Sequence, residues 1–246
     1  MYVKIVKNFL SKTDSVLGLL DEDVLCVTDN LSVAENLEKM RLPVLLWKCE
    51  ELTDKNIWKY RYVYETDKPL SEESLKEVDK DYLETAYYRL AGKPMTIGFD
   101  GEISLRELCL EDVDILYSHI PAEGEDKALI GFPEDEEGFR LWIKKEIDKY
   151  AIYDVGVYAV VNKDGELLGL NGIEDVKNDD KKIMYLGFWI MKNHRHHGYA
   201  YKSSLLVLEH VKKLLGDKVE VRARIYGDNK ASIRLASKLN INVDHL

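Results

Sequence analysis

Six residues between an apolar strand and an amphipathic helix carry the clearest chemistry in this chain: Arg195-His-His-Gly198-Tyr-Ala200. A helix start leaves backbone N–H groups unpaired and carries partial positive charge. Gly198 lets the main chain approach an anion closely, and the small Ala200 leaves room beside it. Arg195 adds a fixed cation. The backbone from Arg195 through His196, His197, Gly198 and Tyr199 to Ala200 therefore reads as a pyrophosphate cradle made of main-chain donors. Neither Gly-x-x-x-x-Gly-Lys nor Gly-x-Gly-x-x-Gly is present, so the loop is neither a P-loop nor a dinucleotide fingerprint. His194, His196 and His197 crowd the same loop. They lack a carboxylate partner nearby in sequence and a helical i, i+4 pair, so no metal is expected there.

The elements that must position this loop are legible from periodicity. Strands over 156–162, 166–175 and 182–191 predict an antiparallel meander. Asn162-Lys163-Asp164-Gly165 makes the first turn, because Asp-Gly supplies positions of positive φ, and Asn178-Asp179-Asp180 makes the second. A helix over 198–215 follows the cradle, with Leu205, Leu208, Val211 and Leu215 on one face and Gly216 as its stop. A strand over 219–225 and a helix over 228–239 come next. Upstream, 103–108 reads as a strand, and 110–120 and 136–150 as helices.

The first hundred residues are organised differently. Apolar strands at 24–28 and 42–47 flank a short helix at 32–40, opened by Asp29, Asn30 or Ser32, with Ser32 to Glu35 as a capping box. That succession predicts a βαβ unit with a parallel strand pair. A long helix is expected over 71–90, capped by Ser71 and Ser74. Gly and Pro punctuation between 92 and 102 predicts a boundary: an α/β accessory module over 1–98 and a second domain over 99–246.

Composition narrows the function classes. Thirty-five basic against 45 acidic residues give a net charge of −10, which argues against nucleic acid as a partner. No apolar run approaches the roughly 20 residues that span a bilayer, and no leader pattern opens the chain, so a cytoplasmic protein without membrane contact is expected. Cys26, Cys49 and Cys109 are scattered and suggest neither a disulfide framework nor a metal knuckle.

The region 102–240 resembles the GNAT superfamily of acetyl-CoA-dependent N-acetyltransferases. Arg195-His-His-Gly198-Tyr-Ala200 fits that family's Arg/Gln-x-x-Gly-x-Gly/Ala loop. Asn229-Lys-Ala-Ser232 through Lys238-Leu is similar to a helix of the branch that acetylates ribosomal-protein N-termini and related amines. Ser104-Leu105-Arg106 with Asp112, and Leu186-Gly-Phe-Trp-Ile190, are similar to that branch too. The resemblance implies an α/β (α+β) fold with a mixed, mainly antiparallel sheet flanked by helices. It implies acetyl-CoA as co-substrate and a small-molecule or peptide amine as acceptor. It places backbone groups of Phe188, Trp189 and Ile190 along the pantetheine arm and the acetyl carbonyl, and Asn229 and Ser232 where the CoA arm leaves the cleft. For an extended arm to hydrogen-bond a strand edge, the strands at 182–191 and 219–225 must splay.

Direct transfer from thioester to amine needs a neutral amine, an oxyanion donor and an acid for the leaving thiolate. A strand N–H near Ile190 is the expected oxyanion donor. Glu174, at the end of the second meander strand, is the candidate base. Where relatives carry a tyrosine acid this chain has Ala236, and Tyr226 and Ser237 are the nearest substitutes. Trp189 and Phe188 alternate, so one should face the core and the other the cleft. Acidic residues at 123–126 and 134–137 either cover the acceptor site or sit in a solvated loop and helix start. Only 241–246 follow the last helix, room for one short strand where relatives usually have two. A second subunit, as in a homodimer, or the N-terminal module is then expected to complete the acceptor wall. The alternative is a CoA-binding regulatory module that does not turn over. The N-terminal strand with Asp29 is similar to part of a haloacid-dehalogenase-type phosphatase. Its Asp-x-Asp signature is absent, so that module reads as non-catalytic.

Overall fold

A computed structural model describes residues 1–7, 23–53, 56–60, 62–120, 132–133, 135–178, 182–216, 219–227 and 229–245. The chain divides into two compact units, Met1–Met95 and Thr96–Leu246, so the division precedes residue 96 rather than following residue 98. Residues 96–99 go with the second unit because they form a strand of its sheet.

The first unit is a parallel sheet in sequence order: β1 (Tyr2–Ile5), β2 (Val24–Thr28), β3 (Val44–Trp47) and β4 (Val63–Tyr64). The parallel pairing of β2 with β3 is the expected one, whereas β1 and the two-residue β4 add strands on either side, beyond the expected βαβ unit. Helix α1 (Leu31–Lys39) crosses between them and buries Val33, Ala34 and Leu37. Its cap is Asn30, whose side chain accepts from the Val33 N–H at 3.0 Å, so Ser32 lies inside the helix and the expected capping box at Ser32 does not form. The expected helix over 71–90 is two helices, α2 (Glu72–Lys76) and α3 (Lys80–Leu90). Ser71 and Ser74 close a capping box on α2, and Asp79 accepts from the Asp81 N–H at 2.7 Å to start α3 afresh. A polar cap in mid-pattern outcompetes helix continuation because it satisfies end donors locally.

The second unit is built on a seven-stranded sheet in the order β11-β10-β9-β8-β7-β6-β5. The strands are β5 (Thr96–Phe99), β6 (Ile103–Arg106), β7 (Val157–Asn162), β8 (Leu167–Asn178), β9 (Lys182–Ile190), β10 (Val219–Ile225) and β11 (Asn242–His245). From β5 to β9 all pairing is antiparallel, which delivers the expected meander. At its first turn Gly165, at φ 82°, donates its N–H to the Asn162 carbonyl. Residues 179–180 of the second predicted turn lie outside the described residues, as do 121–131 and 134 of the acidic stretches. Helices α4 (Asp112–Ser118) and α5 (Glu136–Tyr153) cover one face. Val113, Leu116, Phe139 and Ile143 of these helices pack with Val157, Ala159, Leu170 and Trp189 of the sheet. Helix α6 (Tyr199–Leu215) covers the other face, where Val207 and Val211 meet Leu105, Tyr158, Leu186 and Ile190. Helix α7 (Lys230–Lys238) links β10 to β11. That crossover makes β11 parallel to β10. Among the described residues, no helix is long and apolar enough to cross a membrane.

Candidate functional site

The site begins where two strands stop pairing. β9 and β10 run parallel through Lys182↔Val219 to Tyr185↔Arg222. Beyond that point β9 stays with β8 as far as Gly169↔Ile190, while β10 stays with β11 as far as Ile225↔His245. Among the described residues, Leu186–Ile190 therefore has a sheet partner on one side only. The Met191 N–H donates to the Leu168 carbonyl at 2.9 Å. The alternation of an antiparallel ladder then turns the N–H groups of Phe188 and Ile190 away from β8, toward the splay.

A cleft of about 350 Å³ opens there. Its lining joins the end of β9 (Phe188, Trp189, Ile190) to the turn that follows (His194, Arg195, His196, Gly198). Tyr199, Ala200 and Tyr201 of α6 and Asn229, Ser232 and Leu235 of α7 close it. Most of the residues singled out by sequence thus lie around one cavity. His197 and Tyr226 do not line it. His197 stacks on Tyr199 with ring centroids 5.5 Å apart, and Tyr226 is 44% exposed. Glu174 sits in β8 where the pairing with β9 slips between Ile173 and Asp175, and its side chain lies outside the described ones.

The turn is held in shape by its own atoms. Arg195 Nε donates to the Ile190 carbonyl at 2.8 Å, tying the loop back to the strand end. His196 and Gly198 take φ of 69° and 80°, and Gly198 is the N-cap residue of α6 with no side-chain cap. A side chain on Gly198 would meet nothing within 4 Å, so the space in front of the turn is open. The N–H groups of Tyr201 and Lys202 both donate to the Gly198 carbonyl, at 3.0 and 3.1 Å, whereas those of Tyr199 and Ala200, at the start of α6, have no partner within the helix and suit an anion. His194 Nε2 lies 3.4 Å from Glu166 Oε1, a carboxylate contact the sequence order hid. Among the described residues, no group of three or more His, Cys, Asp or Glu side chains could hold a metal ion.

Across the cleft, Asn229 caps α7, accepting from the Ser232 N–H at 3.2 Å. Lys238 Nζ stands 3.8 Å from the centroid of the Tyr201 ring, a cation–π contact that brings positive charge to the same end. Of the alternating pair on β9, Phe188 faces the cleft half-buried, while Trp189 packs its ring into the α4–α5 core. The Trp189 indole N–H is buried there without a partner among the described residues.

Sequence reasoning missed what lies beneath the turn. Asn171, in the middle of β8, is fully buried with Ser203 and Ser204 of α6. Its amide donates to Ser203 Oγ at 2.7 Å and Ser204 Oγ at 2.9 Å. Those hydroxyls donate in turn to the carbonyls of Tyr199 and Ala200, each at 2.7 Å. Asn171 Oδ1 is buried without a partner among the described residues, an arrangement that costs about 1–3 kcal/mol. The available signal was one polar residue inside the apolar run Leu167–Ile173.

Comparison with known proteins gives the family of this region. A family model described as an acetyltransferase (GNAT) domain matches residues 102–242. No curated protein matches the chain. Among solved structures, the apo RimL ribosomal L7/L12 α-N-protein acetyltransferase is 18% identical, with a TM-score of 0.50, over 59% of this chain and 80% of that one. An acetyltransferase from Agrobacterium tumefaciens str. C58 is 17% identical, with a TM-score of 0.50, over 59% of this chain and 82% of that one. At such identities the likeness speaks to the fold of the second unit.

Proposed function

Because the chain belongs to the GNAT acetyltransferase family, we propose that it moves an acetyl group from acetyl-CoA to a primary amine of a small molecule or peptide by direct transfer. The observation that carries this reading is a strand edge left unpaired at Phe188–Ile190 and continuous, through one cleft, with the donor turn at Gly198. Bound acetyl-CoA supplies the activated acyl group. The residues fit it: the strand edge suits an extended amide-bearing arm, and the open turn suits a pyrophosphate.

The chain's own contribution is orientation and electrostatics. N–H groups of Phe188 and Ile190 hold the arm by strand addition, and the one nearest the acyl carbon stabilises the charge that develops on its oxygen. The α6 turn and Arg195 fix the far end, which lowers the entropy lost at the reacting end. Glu174 is offered as the group that takes the amine proton. Tyr226, exposed and outside the lining, has lost the geometric support for an acid role.

The test compares wild type with Gly198→Glu. The new carboxylate would sit at φ 80° in the opening and repel a pyrophosphate. Calorimetry should show CoA affinity falling at least about 100-fold, since each tenfold step is only about 1.4 kcal/mol. Equal affinities in the two proteins would refute the CoA site. Sustained thiol release from acetyl-CoA with any amine of a panel then separates the enzyme from a CoA-sensing module.

A further inference from the structure

We propose that Asn171 is a positioning residue that works through a hydrogen-bond relay, Asn171 to Ser203 to the Tyr199 peptide, to strengthen the N–H of Ala200 toward an anion in the cleft. The inference rests on the reading of the cleft as a CoA site and deepens it.

Asn171 lies opposite Phe188 in β9 and Tyr158 in β7, so it stands in mid-sheet beneath the first turn of α6. Each serine hydroxyl has one proton, and each sends it to a helix carbonyl at 2.7 Å. What faces Asn171 is therefore a pair of hydroxyl lone pairs, which its two amide protons satisfy at 2.7 and 2.9 Å. The Tyr199 carbonyl that Ser203 bonds belongs to the same peptide unit as the Ala200 N–H. Pulling electron density toward that carbonyl oxygen makes the N–H more acidic. Hydrogen bonds in series inside a low-dielectric core polarise one another in this way.

Ordinary helix packing does not account for this arrangement. A leucine at position 171 would pack against α6 without burying any polar atom. Instead the chain retains an amide whose oxygen is buried without a partner among the described residues. Two adjacent serines also return hydroxyls to the carbonyls four residues back, which by itself is mildly unfavourable in a helix. All three polar residues converge on the one turn that lines the cleft. The arrangement holds that turn at a fixed height above the sheet and orients its donors outward.

The test uses the full chain, Asn171→Leu and Ser203→Ala, with two probes: CoA, and pantetheine, which lacks the pyrophosphate. Expected for both variants is a CoA affinity weakened about fivefold, the size of a partial loss of one charge-assisted bond. Pantetheine affinity should stay unchanged, and the melting temperature should hold or rise for Asn171→Leu. The double variant should be no weaker than either single one, because both cut the same chain. CoA affinity unchanged in Ser203→Ala, which gains helix propensity and will fold, would overturn the relay. So would equal weakening for CoA and pantetheine, which marks general loosening. Wild-type protein that binds neither probe would overturn the CoA reading itself and the relay with it.

Discussion

Arg106 and Asp112 carried a family resemblance in sequence, and in the fold they do structural chemistry. The guanidinium meets the carboxylate twice, at 2.7 and 2.6 Å, with Asp112 almost wholly buried. Asp112 Oδ2 also accepts from the backbone N–H of Cys109 at 3.0 Å, which fixes the turn between β6 and α4. This places Cys109 beside a buried carboxylate. Burial first, and then the Asp112 charge, pushes its thiol up to about 12. The unfolded thiol, near 9.0, releases its proton earlier. The folded chain therefore holds a proton that the unfolded chain gives up, so the contribution of Cys109 to stability is constant below about pH 9 and is lost progressively between there and about pH 12. Urea midpoints measured from pH 7 to 10.5 should decline above pH 9 in wild type and decline less steeply in Cys109→Ala. Parallel slopes would show that Cys109 does not contribute.

Among the elements, the strand end at the cleft depends on one close approach. Gly169 pairs with Ile190, and a methyl group added there would lie 2.1 Å from the Trp189 carbonyl oxygen and 2.8 Å from Ile190 Cα. Both contacts are backbone, so β9 itself would have to move. Gly169→Ala is expected to cost about 1–3 kcal/mol, as overpacking does, and to weaken CoA binding as well, because the displaced segment carries the Phe188 and Ile190 donors. Unchanged CoA affinity in a folded Gly169→Ala protein would show that the edge is not part of the binding surface. The sequence made the meander and the cradle legible for physical reasons. Period-two runs with an Asp-Gly turn and a Gly at a helix start have few other uses. It hid the break at Asp79, because a cap inside an apolar period leaves the period intact. It also hid Asn171, because a lone buried amide is informative only once its partners across the sheet are known. Tyr226 looked serviceable on residue type alone, but in the structure it is exposed and outside the cleft lining.

For the whole molecule, each of the two units closes its own sheet around its own core. Val24, Cys26, Leu37 and Leu46 form the core of Met1–Met95, while Thr96–Leu246 holds separate clusters on the two faces of its sheet. The tryptophans report on them separately. Trp47 is buried in the first unit, with its indole N–H donating to the Lys68 carbonyl at 2.8 Å, and Trp189 is buried in the second. A ligand stabilises only the cooperative unit that binds it, by about 2.7 kcal/mol at a hundredfold excess over its dissociation constant. For a unit of this size that is about 5–10 °C in melting temperature. Thermal scans of a Trp47→Phe, Trp58→Phe double variant, which keeps Trp142 and Trp189 of the second unit, and of a Trp142→Phe, Trp189→Phe double variant, which keeps Trp47 and Trp58 of the first, should therefore differ in their response to CoA. The transition reported by Trp189 should rise by that amount. The transition reported by Trp47 should stay where it is if the first unit takes no part in binding. A rise of both by the same amount would instead make the N-terminal unit part of the CoA-stabilised cooperative structure.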